Sequence, residues 1–251
     1  MTRPTATSTT GASALPKNWP LSVTYITAPY IPRPLDPLIL RVDSPDTSTV
    51  VHMSKNSGSP ASFSSSSSSV TPSPTFCSIP GPSPLVRIQT IARPTHPAHG
   101  QSGLFATRAL PPDSFILFYL GLVHTAAGAD AGSDYDLSVD RERDVAMDAT
   151  RWGNEARFIN DYRGISDSGP NAEFRDCVVQ VASGGWEKRF GVFVLGKGKA
   201  GAKAKRARGI AKGEEIVVSY GKGFWTARSG GDEGGNGREW EGEADGEKDG
   251  V

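Results

Sequence analysis

Cysteine is nearly missing from this chain: Cys77 and Cys177 are the only two in 251 residues, and the first sits in a Pro/Ser-rich stretch. So few, so far apart, exclude a disulfide framework and a cysteine zinc site, and no metal site is expected. They fit a reducing setting, so an intracellular protein of nucleus or cytoplasm is expected. Long apolar runs are missing too. None nears the roughly 20 residues that span a bilayer as a helix, and no membrane partner is expected. The N-terminus has no continuous apolar core of a secretory signal. Its first 35 residues hold no acidic side chain and many Ser and Thr, as transit peptides do. Pro4, Pro16 and Pro20 interrupt any amphipathic helix there, so an unstructured tail is the expectation. Net charge is zero, 27 Lys and Arg against 27 Asp and Glu, so whole-chain charge selects no partner. Apolar residues make up 37%, a low share, while Gly and Pro reach 29 and 19 and are unevenly spread. Part of the chain therefore adds nothing to a core.

Residues 1–14 are rich in Thr, Ser and Ala and read as disordered. The segment 15–43 carries Trp19, Leu21, Tyr25, Tyr30, Leu35 and Leu40, enough apolar surface to pack on a domain. Pro20 suggests a short helix opening at Asn18, with Leu21 and Tyr25 on one face. A low-complexity linker follows over 44–84, with six serines at 64–69. Order returns at 85–91 (LVRIQTI), whose apolar and polar residues alternate as in a half-buried strand. Further strands are expected at 103–109, 114–121, 135–139, 145–149 and 215–219, with a hairpin of 177–182 and 189–195 around 183–185. Many short strands with Gly/Pro turns make 85–225 a mainly β domain. His96, His99 and His124 show no metal spacing and are placed in loops. The stretch 196–209 (GKGKAGAKAKRARG) reads as a basic loop insertion, solvated or in contact with phosphates or an acidic partner. Residues 226–251 read as a disordered acidic tail.

Two stretches stand out. At 148–171 (DATRWGNEARFINDYRGISDSGPN), Gly-Asn leads to Arg157, Phe158, Ile159 and Asn160, with Pro170 and Asn171 closing. At 213–221 (GEEIVVSYG) a strand ends on Tyr220. These resemble the two signature motifs of SET-domain protein-lysine methyltransferases, RFINHSCxPN and GEELTYDY. Upstream, 103–106 resembles the family's GxG-loop strand, and Tyr119 with Gly121 resembles its YxG. The matches stand in the family's order over roughly 85–225. Asp161 replaces the motif's histidine, Ser219 an aspartate, and 162–169 lengthens the spacer. No cysteine-rich segment follows. The lead-in 96–101 (HPAHGQ) and the Trp19–Pro20 pair resemble a divergent fungal group of SET proteins, in which the N-terminal segment belongs with the domain.

The resemblance implies a SET fold, small curved β-sheets around a knot-like C-terminal segment. It also implies transfer of a methyl group from S-adenosyl-L-methionine to a lysine of a protein substrate, a histone among the candidates. Lysine, with a free pKa of about 10.4, must lose its proton before attack, and a dry aromatic channel favours that. Tyr220 and Tyr119 are the catalytic candidates. Gln101, Ser102, Gly103, Arg157, Phe158, Asn160, Asp161, Tyr220 and Trp225 are the cofactor-binding candidates, with Arg157 also read as a structural ion-pair former. Glycine at position 103 is expected to admit the ligand to the backbone. Phe224 and Trp225 are expected to close the channel or stack on adenine. A monomer is expected. The alternatives are a catalytically weak SET-like domain that binds a protein, and a scaffold whose loop 196–209 contacts nucleic acid.

Overall fold

The computed structural model describes residues 15–43, 51, 81–181, 184–196, 209–221 and 224–225. The expected N-terminal disorder, nearly all of the linker 44–84, the basic stretch 197–208 and the tail 226–251 lie outside the described residues.

The described chain is mainly β, as expected from its many short apolar stretches. It holds two 3-10 turns, Ala126–Gly128 and Glu155–Phe158, and helical backbone at Gly221, Phe224 and Trp225. The segment 15–43 supplies β1 (Thr24–Tyr25) and β2 (Arg41–Val42). Next come β3 (Val86–Thr90) and β4 (Ser102–Ala106), an antiparallel pair in which Val86 and Ile88 are buried and Arg87 is exposed. The alternation read in 85–91 is thus real. β5 (Phe115–Phe118) is buried throughout. β6 (Leu122–His124), β7 (Asp136–Asp140) and β8 (Val145–Asp148) form a three-stranded antiparallel sheet with β8 central. Two short pieces, β9 (Trp152–Gly153) and β10 (Asn160–Asp161), flank the second 3-10 turn. β11 (Ala172–Gln180) and β12 (Trp186–Val194) make a long hairpin, and β5 and β2 both pair with β12. β13 (Val217–Val218) pairs in parallel with β10.

Beside a second cluster of Phe115, Phe118, Val179 and Phe193, a main core joins these small sheets. Leu104, Val123, Met147, Val192, Val194, Ile216 and Val218 are fully buried in it, together with Trp19, Val23 and Leu40 from the N-terminal segment. That segment wraps the domain. β1 pairs in parallel with β9, Tyr30 bridges Leu122, and β2 adds to the hairpin edge. Trp19 meets Tyr25 and Phe158 edge-on, with ring centroids 5.0 and 5.7 Å apart. Such aromatic pairs each add about 0.5–1.5 kcal/mol beyond area burial. Buried Glu155 accepts hydrogen bonds from the Tyr25 hydroxyl and the Ser83 amide, tying the segment to the second 3-10 turn.

Three expectations are corrected. No helix opens at Asn18. Its φ of 66° is left-handed, its side-chain amide donates to the Ile88 carbonyl, and Leu21 is 97% exposed instead of packing. The hairpin's first strand starts at Ala172, five residues before the expected 177. The charges of Glu173, Arg175 and Asp176 leave no apolar run there to mark a strand. In the fold Arg175 bonds Glu173, and Lys188 across the hairpin lies 3.4 Å from Asp176. His124 is not in a loop; it ends β6, nearly buried, with Nε2 2.9 Å from Asp136 Oδ1 and Nδ1 3.0 Å from the Thr125 carbonyl.

Gly121 shows why the Tyr-x-Gly step needs glycine. A Cβ there would lie 2.5 Å from the backbone oxygen of Asp148, which the β6–β8 pairing holds in place. Gly121→Ala is expected to cost about 1–3 kcal/mol in chemical denaturation, and an unchanged midpoint would contradict this packing. His124 offers a second check. Both ring nitrogens face acceptors, so the hydrogen bond to Asp136 raises its pKa above the ordinary value. A raised folded-state pKa stabilises fully below the unfolded value of about 6.5 and fades as pH rises through the folded value. The stability difference between the wild-type protein and His124→Gln is therefore expected to be largest in mild acid and to shrink in alkali. A difference independent of pH would contradict it.

Candidate active site

The site is organised by the last strand. β13 runs beside β10, and the Tyr162 amide donates to the Val218 carbonyl at 2.9 Å. Asn171 clamps the same strand. Its amide nitrogen donates to the Glu215 carbonyl at 2.8 Å, its Oδ1 accepts the Val217 amide at 2.9 Å, and its own backbone amide donates to the Val217 carbonyl. On the other side, Ile216 donates to the Leu104 carbonyl of β4. The motifs at 157–171 and 213–221, far apart in sequence, thus form one hydrogen-bonded unit. An Asn at 171 suits this place because it donates and accepts at once, completing a ladder that has no neighbouring strand.

Tyr220 leaves this strand and Tyr119 leaves β5, and both line one cavity of about 30 Å³, room for roughly one small group. Each phenol is anchored on a backbone carbonyl. The Tyr220 hydroxyl donates to Ile159 at 2.6 Å and the Tyr119 hydroxyl to Tyr135 at 2.6 Å. Burial raises both pKa values above the ordinary tyrosine value, with nearby Asp161 adding to the effect at Tyr220 and the Tyr220 phenol adding at Tyr119. Both phenols are therefore neutral donors at physiological pH, unsuited to act as bases. Tyr135, Phe174 and Phe224 supply further aromatic wall, and Asp134 and Asp136 also line the cavity.

The remaining candidates divide in two. Asn160, Asp161, Tyr220 and Trp225 come together. Asp161 is buried; its Oδ2 accepts the Tyr220 amide at 2.8 Å, the Arg163 guanidinium at 2.8 Å and the Trp225 indole N–H at 3.3 Å. The aspartate that departs from the motif thus holds the chain that follows Tyr220. Phe224 packs edge-on between Tyr220 and Trp225, and Trp225 is 39% exposed. Ser102 and Gly103 lie beside this group on β4, with the Ser102 carbonyl 3.5 Å from the Asn160 amide nitrogen. Gln101 is exposed in the preceding turn. A Cβ on Gly103 would lie 2.7 Å from Glu215 Oε1 and 3.2 Å from Asn160 Nδ2, so side chains of the protein occupy that approach. Arg157 and Phe158 face elsewhere. Phe158 packs on Trp19. Arg157 lines the cavity, donates to the Ala149 carbonyl and lies 4.2 Å over the Tyr135 ring. An aromatic face and a carbonyl hold it where an ion pair was expected, and no carboxylate lies within ion-pair distance of it among the described residues.

Sequence reading missed Tyr135 and Phe174. Tyr135 was visible only as a strand residue, and Phe174 lies just before the expected hairpin strand at 177–182, where no element was expected. His96 was set aside as a loop histidine, yet it is buried and its Nε2 lies 3.0 Å from Glu215 Oε2.

Among solved structures, the chain is similar to an active Polycomb repressive complex 2 in the stimulated state, at 20% identity over 55% of this chain and 15% of that one, TM-score 0.37. It is similar to the Chaetomium thermophilum Polycomb Repressive Complex 2 bound to GSK126, at 19% identity over 57% and 17%, TM-score 0.38. The chain thus spans less than a fifth of these proteins, and likeness of that extent says nothing of its substrate or assembly. No curated protein matches the chain. Residues 101–221 match the family model described as SET domain, and the mainly β architecture of small sheets that carries both tyrosines is a SET-domain fold.

Proposed function

We propose that this protein transfers a methyl group from S-adenosyl-L-methionine to a lysine side chain of a protein substrate. One observation carries the reading. Tyr119 and Tyr220 come from distant segments and converge on a single aromatic-lined cavity, inside the stretch that matches the SET model. When bound, the cofactor supplies an electrophilic methyl carbon on a sulfonium.

The residues present fit such a cofactor. Asn160 is half-buried, and its Oδ1 accepts no hydrogen bond from a described residue, so an acceptor is open to a ligand's ammonium or amine. Trp225, partly exposed and held by Asp161, offers a flat apolar face suited to a purine. Ser102 and Gly103 would add main-chain groups from β4, and Gln101 a side chain at the rim. The cavity side has a different task. Its aromatic wall removes water from an entering amine, which favours the neutral, attacking form. Both phenol oxygens keep lone pairs free after donating to Ile159 and Tyr135, so they can accept from an amine N–H and orient it. Neither phenol takes the proton, because burial keeps both protonated.

Incubation of the full chain with methyl-labelled S-adenosyl-L-methionine and a mixture of histones and ribosomal proteins is expected to label lysine. Tyr220→Phe is expected to lower that rate about 100-fold or more, a loss far larger than any loss of cofactor affinity. Cofactor binding without label on any substrate would favour a protein-binding module instead. No cofactor binding would overturn the enzyme reading.

A further inference from the structure

His96 lies outside both motifs and outside the cavity, yet it is 5% exposed and fully engaged. Its Nδ1 accepts the Ala98 amide at 3.0 Å. An Nδ1 that accepts carries no proton, so the hydrogen sits on Nε2. Nε2 faces Glu215 Oε2 at 3.0 Å and therefore donates to it. The other oxygen of that carboxylate, Oε1, lies 2.9 Å from Asn160 Nδ2. An ionised carboxylate only accepts. Asn160 must therefore turn its NH₂ toward Glu215, which leaves its carbonyl Oδ1 as the group that a ligand meets. The two ends of an amide are nearly isosteric, so without this constraint only the long 3.5 Å contact of Nδ2 with the Ser102 carbonyl would oppose a flip that presents a donor instead.

We propose that His96 is a positioning residue that, through Glu215, fixes the amide orientation of Asn160, so that the cofactor pocket presents a hydrogen-bond acceptor to an amine or ammonium of the cofactor. The chain runs in one direction, from the Ala98 N–H through the imidazole and the carboxylate to the Asn160 amide. Gly103 is the space through which it passes: a methyl there would sit against both Glu215 Oε1 and Asn160 Nδ2. Glu215 is itself anchored on both sides, since its carbonyl accepts from Asn171 and the next residue, Ile216, bonds Leu104. With the backbone held, loss of the imidazole N–H frees only the carboxylate, which then rotates or takes up water. The inference rests on the cofactor reading of this pocket.

The test is calorimetric titration of S-adenosyl-L-methionine into the full chain, wild type, His96→Leu and His96→Gln, with thermal midpoints measured beside it. Wild-type binding is expected first; its absence overturns both the cofactor reading and this inference. Given binding, His96→Leu is expected to weaken the cofactor about tenfold. His96→Gln, whose amide reaches the place of Nε2–H, is expected to restore most of that affinity. Equal affinity in wild type and His96→Leu would overturn the role of His96 and leave the cofactor reading standing. Weakening by both variants in proportion to lost thermal stability would also overturn it, because a merely structural histidine behaves so. Where His96→Leu fails to fold, the nitrogen chemical shifts of His96 in the wild-type protein decide. The Nε2–H tautomer is expected, and the Nδ1–H tautomer would overturn the chain of donors.

Discussion

The two residues of β13 hold the rest together. Val217 and Val218 lie between the backbone of Asn160–Tyr162 on one side and Asn171 beside them, while Glu214 and Ile216 bond to β4. A two-residue strand has almost no pairing energy of its own. It persists because Ile216, Val217 and Val218 are fully buried and because Asn171 satisfies the polar groups that no further strand reaches. Tyr220, Asp161 and Glu215 hang from this arrangement. Tyr220 ends the strand, Asp161 caps the chain that follows it, and Glu215 precedes it. Breaking it would leave the tyrosines without a shared cavity and Asn160 without an orientation.

Around that strand the fold solves a problem that small sheets create. Among the described residues, five sheets of two to four strands, most of them short, bury little surface separately. The N-terminal segment compensates by wrapping several of them. β1 lies against β9, Tyr30 against β6, and β2 against the long hairpin. It also reaches toward the site, because Trp19 packs on Phe158 and Tyr25 bonds Glu155, both in the turn that leads to Asn160. The segment is therefore part of the support of the motif at 157–160.

Much of this was legible in the residues. Alternation in 85–91 and the apolar runs at 114–121 and 145–149 marked real strands, because their burial follows period two or is complete. The pairing of 160–161 with 217–218 was not legible, because two-residue strands carry no periodicity. What escaped had physical reasons. Two-residue strands such as β1, β9 and β10 are set by tertiary contact and leave no pattern. The start of β11 was hidden because Glu173, Arg175 and Asp176 satisfy one another or Lys188 across the hairpin. His96 escaped because its partner, Glu215, is over a hundred residues away, and neither histidine of HPAH carries a sign of burial. Tyr135 escaped because its role comes from a carbonyl and a ring face, groups that any strand tyrosine has.

In the proposed function, β4, the Asn160–Tyr162 stretch and Val217–Gly221 with Phe224 and Trp225 together form one cofactor site. Amide hydrogen exchange of the full chain, with and without S-adenosyl-L-methionine, tests this most directly. Added protection is expected at 101–103, 160–162 and 217–225, with the β6–β8 sheet unchanged. Unaltered exchange in those three stretches, or protection confined to some other part of the chain, would contradict it.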